Sequence, residues 1–258
     1  MRDRLLHGWR VAAALSVLSV FVSGVFVMAF AIGPWIRLTS RSELERARRA
    51  RRCLSWSCRH SAIWGERLGV WRVRVEGGSL LRGERRIVVA NHPTMLDAMV
   101  LLPLLDDGVC VTRSKHWDRP VMRRIIAAGV FPFDDTGVDV VTACTKRIEE
   151  GASVLLFPEG TRSPAAGLNP LMRGAAHIAL RTGCDLSPVV LTCEPPLFAK
   201  HTSWMAALSQ RVEIRARVQP VIPVDEPLRD RMARPVAARQ LTDALREVLE
   251  KQLERPRV

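Results

Sequence analysis

The residues of this chain best suited to chemistry lie in two short stretches. The first is Asn91-His92-Pro93-Thr94-Met95-Leu96-Asp97. A carboxylate that accepts one imidazole N–H fixes the tautomer, and the other ring nitrogen can then take a proton from a hydroxyl. His92 and Asp97 are five positions apart, which on a continuous helix sets them about 140° apart. They can meet only if His92 lies in the turn ahead of the helix, and Pro93, suited to a first helical position, favours that arrangement. Taken alone, a His and an Asp at this spacing describe a satisfied structural histidine better than a catalytic one. The second stretch is Phe157-Pro158-Glu159-Gly160-Thr161-Arg162-Ser163. Gly160 permits close backbone approach, and Thr161 and Arg162 supply donors suited to a phosphate. By itself this stretch also reads as a turn with a surface ion pair.

Both stretches leave short apolar runs, Ile87-Val88-Val89-Ala90 and Val154-Leu155-Leu156-Phe157, of the kind that forms buried strands. Around them the pattern predicts helix over 42–70, strand over Trp71–Val75 ending at Gly77-Gly78, helix over Thr94–Leu102 and strand over Val109–Val111. Further on it predicts helix near Val121–Ala128, strand over Gly129–Phe133, and helices over Val138–Glu150 and 174–182. Strands over Leu186–Thr192 and Val212–Val218 follow, with a closing helix over Val236–Leu253. Strands alternating with helices define an α/β domain with a central sheet flanked by helices. The division expected is an anchor over 1–36, a basic helical connector with the first strand over 37–78, and the main domain over 79–258.

From Val11 to Ile36 no side chain is charged, and Trp9 and Trp35 bracket the run. About 39 Å of helix would cross a hydrocarbon core of roughly 30 Å with an aromatic at each interface. The run exceeds a normal signal-peptide core. Arg2, Arg4 and Arg10 precede it, whereas Arg37, Arg41, Arg46, Arg48, Arg49, Arg51 and Arg52 follow, so a single-pass transmembrane helix with the remainder cytoplasmic is expected. The formal charge of +13 suits an anionic membrane surface or nucleic acid. No nucleic-acid module is recognisable, so no nucleic-acid partner is expected, although a basic membrane-tethered binding protein without catalysis stays open. Six cysteines without a dense framework read as reduced thiols, and Cys53 and Cys58 lack a second ligand pair, so no metal is expected.

Asn-His-x4-Asp followed by Phe-Pro-Glu-Gly-Thr-Arg-Ser resembles the glycerolipid acyltransferase family, typified by 1-acyl-glycerol-3-phosphate acyltransferase, across roughly residues 80–220. Leu186-Ser187-Pro188-Val189-Val190 is similar to that family's fourth motif. The resemblance implies that His92 is general base on an acceptor hydroxyl, that Asp97 supports it, and that Glu159, Gly160, Thr161 and Arg162 help hold the acceptor. It implies acyl-coenzyme A or acyl carrier protein as co-substrate donor, no cofactor, membrane lipids as partners, and a bacterial inner-membrane setting. The second motif of the family runs Gly-x4-Asp-Arg, whereas here Gly129 to Asp134 is followed by Asp135. One unit charge at 4 Å is worth roughly 4 kcal/mol at an effective dielectric near 20, so the swap weakens phosphate binding unless Arg113, Lys115 or Arg173 compensates. The acceptor is otherwise a different lipid, and Arg119-Pro120-Val121-Met122-Arg123 also resembles a subgroup associated with aryl polyene lipids. Asp135→Arg is expected to lower the KM for lysophosphatidate while leaving that for the thioester unchanged. Acceptor titrations at fixed donor read this out; an unchanged KM would assign phosphate recognition to other residues.

Overall fold

The computed structural model describes residues 2–83, 85–111, 140–200, 202–224 and 234–254. The expected helix near Val121–Ala128 and strand over Gly129–Phe133 lie outside these residues, as do Arg113, Lys115 and Asp135.

Among the described residues, six strands form one mixed sheet: β1 (Trp71–Glu76), β2 (Ile87–Ala90), β3 (Gly108–Cys110), β4 (Ser153–Leu156), β5 (Leu186–Glu194) and β6 (Val212–Val218), in the spatial order β1-β6-β5-β2-β4-β3. Every neighbouring pair is parallel except β5 with β6. All four residues of β2 and all four of β4 are buried, as expected where helices cover both faces of a parallel sheet. Alternation along β2 divides the core. Val88 and Ala90 face one hydrophobic cluster, and Ile87 and Val89 face the other. The first cluster is closed by α3 (Glu43–Arg67) and α4 (Asp97–Leu101), the second by α5 (Val140–Glu149), α6 (Gly174–Thr182) and α8 (Arg234–Leu253); the short α7 (Trp204–Ala207) follows β5.

The helix expected from Thr94 begins three residues later, at Asp97, because Thr94 is held in a turn by the Asp97 carboxylate, which accepts the Thr94 N–H at 2.9 Å. Pro188 sits in β5 just before its antiparallel pairing with β6 begins at Val189↔Val218. None of the six cysteines is in a disulfide. Burial pushes the Cys58 and Cys110 thiols up to about 12, which leaves them unreactive near neutrality.

The apolar N-terminal segment is helical throughout: α1 (Arg2–Val27), one π-helical stretch at Met28–Ile32, and α2 (Gly33–Thr39). One helix here, Asp3–Thr39, is long and apolar enough to cross a membrane. It doubles back on α3 as an antiparallel hairpin. Trp9 Nε1 donates to the Leu68 carbonyl at 3.0 Å, the Trp64 indole reaches Ser16, and Ile36 packs beside Ala50. Arg10 donates to the carbonyl of Ser209, so the start of α1 touches the α/β unit itself. At the opposite end, α3 is capped by Ser42, whose hydroxyl accepts the Glu45 N–H at 3.1 Å. Within α3 the buried Arg51 guanidinium grips Asp107 in a two-point ion pair, one contact being 2.7 Å, and Arg48 donates to the Glu150 carbonyl at 2.8 Å. The hairpin is therefore tied to the sheet by charge at one end and by indole and guanidinium contacts at the other.

The junction from α3 to β1 depends on one glycine. Trp71 folds back over Gly65 and donates to the Ala62 carbonyl at 2.9 Å, so a Cβ on Gly65 would lie 2.1 Å from the indole. Gly65→Ala is expected to cost about 1–3 kcal/mol through this overpacking, seen as a lower unfolding midpoint in detergent. A midpoint equal to wild type would show that Trp71 can move aside freely.

Candidate active site

The register of two strands places both reactive stretches side by side. β2 and β4 run parallel with Val89 opposite Leu156, so the chain leaves the same end of the sheet at Asn91 and at Phe157. Asn91 makes the exit possible. Its side chain donates to the Leu191 carbonyl at 2.9 Å and accepts the Leu191 N–H at 2.7 Å, taking over from the backbone the pairing to β5. The main chain at His92 is then free to turn toward the neighbouring loop.

That loop receives it. The His92 N–H points to Ser163 Oγ (2.9 Å) and Glu159 Oε1 (3.3 Å), and the Ser163 N–H donates to the His92 carbonyl at 2.8 Å. The imidazole stacks on Phe157, with ring centroids 4.3 Å apart. Its Nδ1 lies 2.7 Å from Asp97 Oδ2, with His92 ahead of the helix and Asp97 at its first position. The Asp97 side chain is fully buried, whereas that of His92 keeps 23% of its surface exposed.

Burial pushes the Asp97 carboxyl up to about 6, against the lowering effect of the His92 hydrogen bond. Above that pH the carboxylate accepts only, so in the neutral ring Nδ1 carries the proton and Nε2 keeps the lone pair. The arrangement can remove a proton from a hydroxyl and stabilise the imidazolium that results.

Of the residues expected to hold an acceptor, Glu159 is buried and turned inward. One of its oxygens takes Ser163 and His92, and the other takes the backbone and side-chain donors of Asn169 at 2.8 and 2.7 Å. Gly160 adopts φ +60°, in the left-handed region that glycine tolerates, and Thr161 is half-buried beside it. Arg162 is also half-buried and donates through one Nη to the Phe198 carbonyl at 2.6 Å. The preceding carbonyl, that of Leu197, accepts the hydroxyl of the buried Thr94 at 2.6 Å. Both loops are thus tied to the segment after β5. Arg173 stands exposed at the head of α6. Sequence reasoning assigned no role to Thr94 or Asn169, whose partners lie 103 and 10 residues away along the chain.

Residues 72–192 match the family model described as Acyltransferase. That match spans both loops and the strands that carry them. This part of the chain is similar to the acyltransferases, the glycerolipid acyltransferases among them. Its similarity to curated members of that family is confined to part of their length. A chloroplastic 1-acyl-sn-glycerol-3-phosphate acyltransferase of Brassica napus is 34% identical over 41% of this chain and 32% of its own. The alpha form of the human 1-acyl-sn-glycerol-3-phosphate acyltransferase is 26% identical over 54% and 50% respectively. The chain thus spans 32% and 50% of the length of these two relatives. The crystal structure of the 1-acyl-sn-glycerophosphate acyltransferase PlsC from Thermotoga maritima superposes with a TM-score of 0.63 at 21% identity, covering 98% of this chain and 96% of that one. The acyltransferase fold is shared along nearly the whole chain.

Asp97→Asn separates the two consequences of the buried carboxylate. The amide would offer its N–H to Nδ1 and favour the wrong tautomer, so any turnover that uses this histidine as base should fall by about 10³- to 10⁴-fold. Stability should move the other way. A carboxyl whose pKa is raised on folding contributes most below its unfolded value and loses that contribution as pH rises through about 6. The unfolding midpoint of Asp97→Asn, relative to wild type, is therefore expected to rise between pH 4 and pH 7. Thermal melts at both pH values test this; a difference that does not grow with pH would remove the cost assigned to the buried charge.

Proposed function

We propose that this acyltransferase moves a fatty acyl group from a thioester, carried by coenzyme A or acyl carrier protein, to the free hydroxyl of 1-acyl-glycerol-3-phosphate, yielding phosphatidate. The observation that carries this reading is the imidazole locked by a buried carboxylate, with its second nitrogen left for a substrate. His92 Nε2 takes the hydroxyl proton as the oxygen attacks the thioester carbonyl. The tetrahedral intermediate collapses with cleavage of the C–S bond, and the imidazolium returns the proton to the departing thiolate. The relatives named for 1-acyl-sn-glycerol-3-phosphate support the acceptor class. Arg162, in the loop beside His92 and with one contact to a carbonyl described, supplies a guanidinium that suits its phosphate. Asp135, where the family carries arginine, favours a second reading with the same chemistry on another lipid hydroxyl, including an aryl polyene-type lipid.

The N-terminal hairpin supports membrane attachment in the plane of one leaflet. Leu5, Trp9, Leu18, Phe26, Phe30 and Trp35 are exposed along α1, the π stretch and α2. The opposite face packs on α3, a helix bearing Arg46, Arg48, Arg49, Arg51, Arg52 and Arg59. A perpendicular crossing would carry those arginines into hydrocarbon if α1 stayed on α3, or part Arg10 from Ser209 if α1 left it. An apolar face sunk into the headgroup and acyl boundary keeps both. This departs from the single-pass crossing expected from the charge asymmetry. A cysteine at position 4, introduced as Arg4→Cys, should stay unlabelled by an impermeant maleimide in intact cells, and ready labelling would restore the crossing.

His92→Ala should lose roughly 10²- to 10⁴-fold in transfer from a radiolabelled acyl thioester to a panel of lysolipids, without unfolding. A folded variant that keeps most of its turnover would sink the assignment.

A further inference from the structure

We infer that Asn169 is a positioning residue for the His92 main chain, acting through Glu159; the inference rests on the acyl-transfer reading above. Asn169 lies ten residues beyond Glu159, on the way to α6, outside both reactive stretches. Its backbone N–H and its Nδ2 both donate to Glu159 Oε2, at 2.8 and 2.7 Å, and Nδ2 also reaches the Arg162 carbonyl at 3.1 Å. Glu159 Oε1 in turn faces the Ser163 hydroxyl and the His92 N–H. The carboxylate is buried, and a buried charge keeps its place only while donors surround it. Asn169 supplies both donors described on one of its two oxygens.

The bracket has an outer support as well. The Asn169 carbonyl accepts from Arg246 on α8 at 3.2 Å, and the second guanidinium nitrogen of Arg246 is held by Glu250. A line of contacts therefore runs from the C-terminal helix through Asn169 and Glu159 to the His92 amide. It touches neither the imidazole nor the Asp97 pair. Its effect is on where the ring stands, and a displacement of about 1 Å at a reacting group can cost on the order of 100-fold in rate. Asn169 thereby acts on turnover and leaves donor binding alone.

Two substitutions separate positioning from packing. Asn169→Ala removes the side-chain donor; Asn169→Asp keeps the shape but sets a second carboxylate against Glu159. Loss of a charge-assisted hydrogen bond predicts a fall in kcat of roughly tenfold or more for Ala and a larger one for Asp, with the thioester KM unchanged. Hydrogen exchange at the His92 amide should quicken in the same order, and this is read without reference to any substrate. Asn169→Asp milder than Asn169→Ala would make the side chain a space-filler, and an unchanged His92 amide in both folded variants would break the link through Glu159. Either result overturns the inference. If wild type transfers no acyl group while the exchange order holds, the functional reading fails and the positioning role stands. Should Asn169→Asp not fold, Asn169→Ala with both readouts still decides.

Discussion

The parallel pairing of β2 with β4 is the constraint on which the site depends. With Val89 opposite Leu156, two loops 67 residues apart along the chain leave the sheet at one end and at one height. Neither loop could hold a histidine alone. The Asn91 side chain occupies the pairing positions of Leu191, which lets the backbone turn away, and the Ser163 N–H then fastens to the His92 carbonyl. A shift of one residue in this register would exchange the two core-facing sets of side chains of β2 and offset the two loops.

Two buried carboxylates then divide the labour. Asp97 works on the ring, fixing its tautomer, while Glu159 works on the main chain, holding the amide of the same residue. Their charges oppose each other, since Glu159 adds to the upward push on Asp97. Glu159 takes donors from the neighbouring loop and from Asn169, whereas Asp97 takes its donors, His92 and the Thr94 N–H, from its own turn, and these contacts offset part of the cost of keeping charge out of water. Burial of Asp97 carries a stability penalty above pH 6 in return for a defined imidazole, the kind of local cost that functional sites commonly retain.

The N-terminal hairpin presents the same logic at a larger scale. Hydropathy alone describes a rod able to cross a bilayer, and the fold lays the charged α3 along it. Packing Ala13, Ala14 and Val17 into the main core makes the apolar helix part of the folded unit. Its remaining exposed apolar side is available to lipid, and the contact of Arg10 with Ser209 keeps its beginning close to the sheet.

Much of this was legible in the sequence. Ile87–Ala90 and Val154–Leu156 are continuous apolar runs, short and β-branched enough to suit strands covered on both faces. His92 and Asp97 could be paired on paper because only a turn at Pro93 lets them meet, and the two motifs together pointed to the family. The α/β class followed from alternation. What the sequence could not carry was any contact between distant segments. The inward direction of the Glu159 carboxylate, the Asn169 bracket and the anchoring of Thr94 and Arg162 on Leu197 and Phe198 all arise from chain brought together by the sheet. The disposition of the first helix is of the same kind. Periodicity and charge report what one segment prefers in water or lipid, whereas its direction is set by the surface that the rest of the fold offers it. Local preference determined the elements and the His92–Asp97 pair; only the tertiary structure decided what holds that pair still.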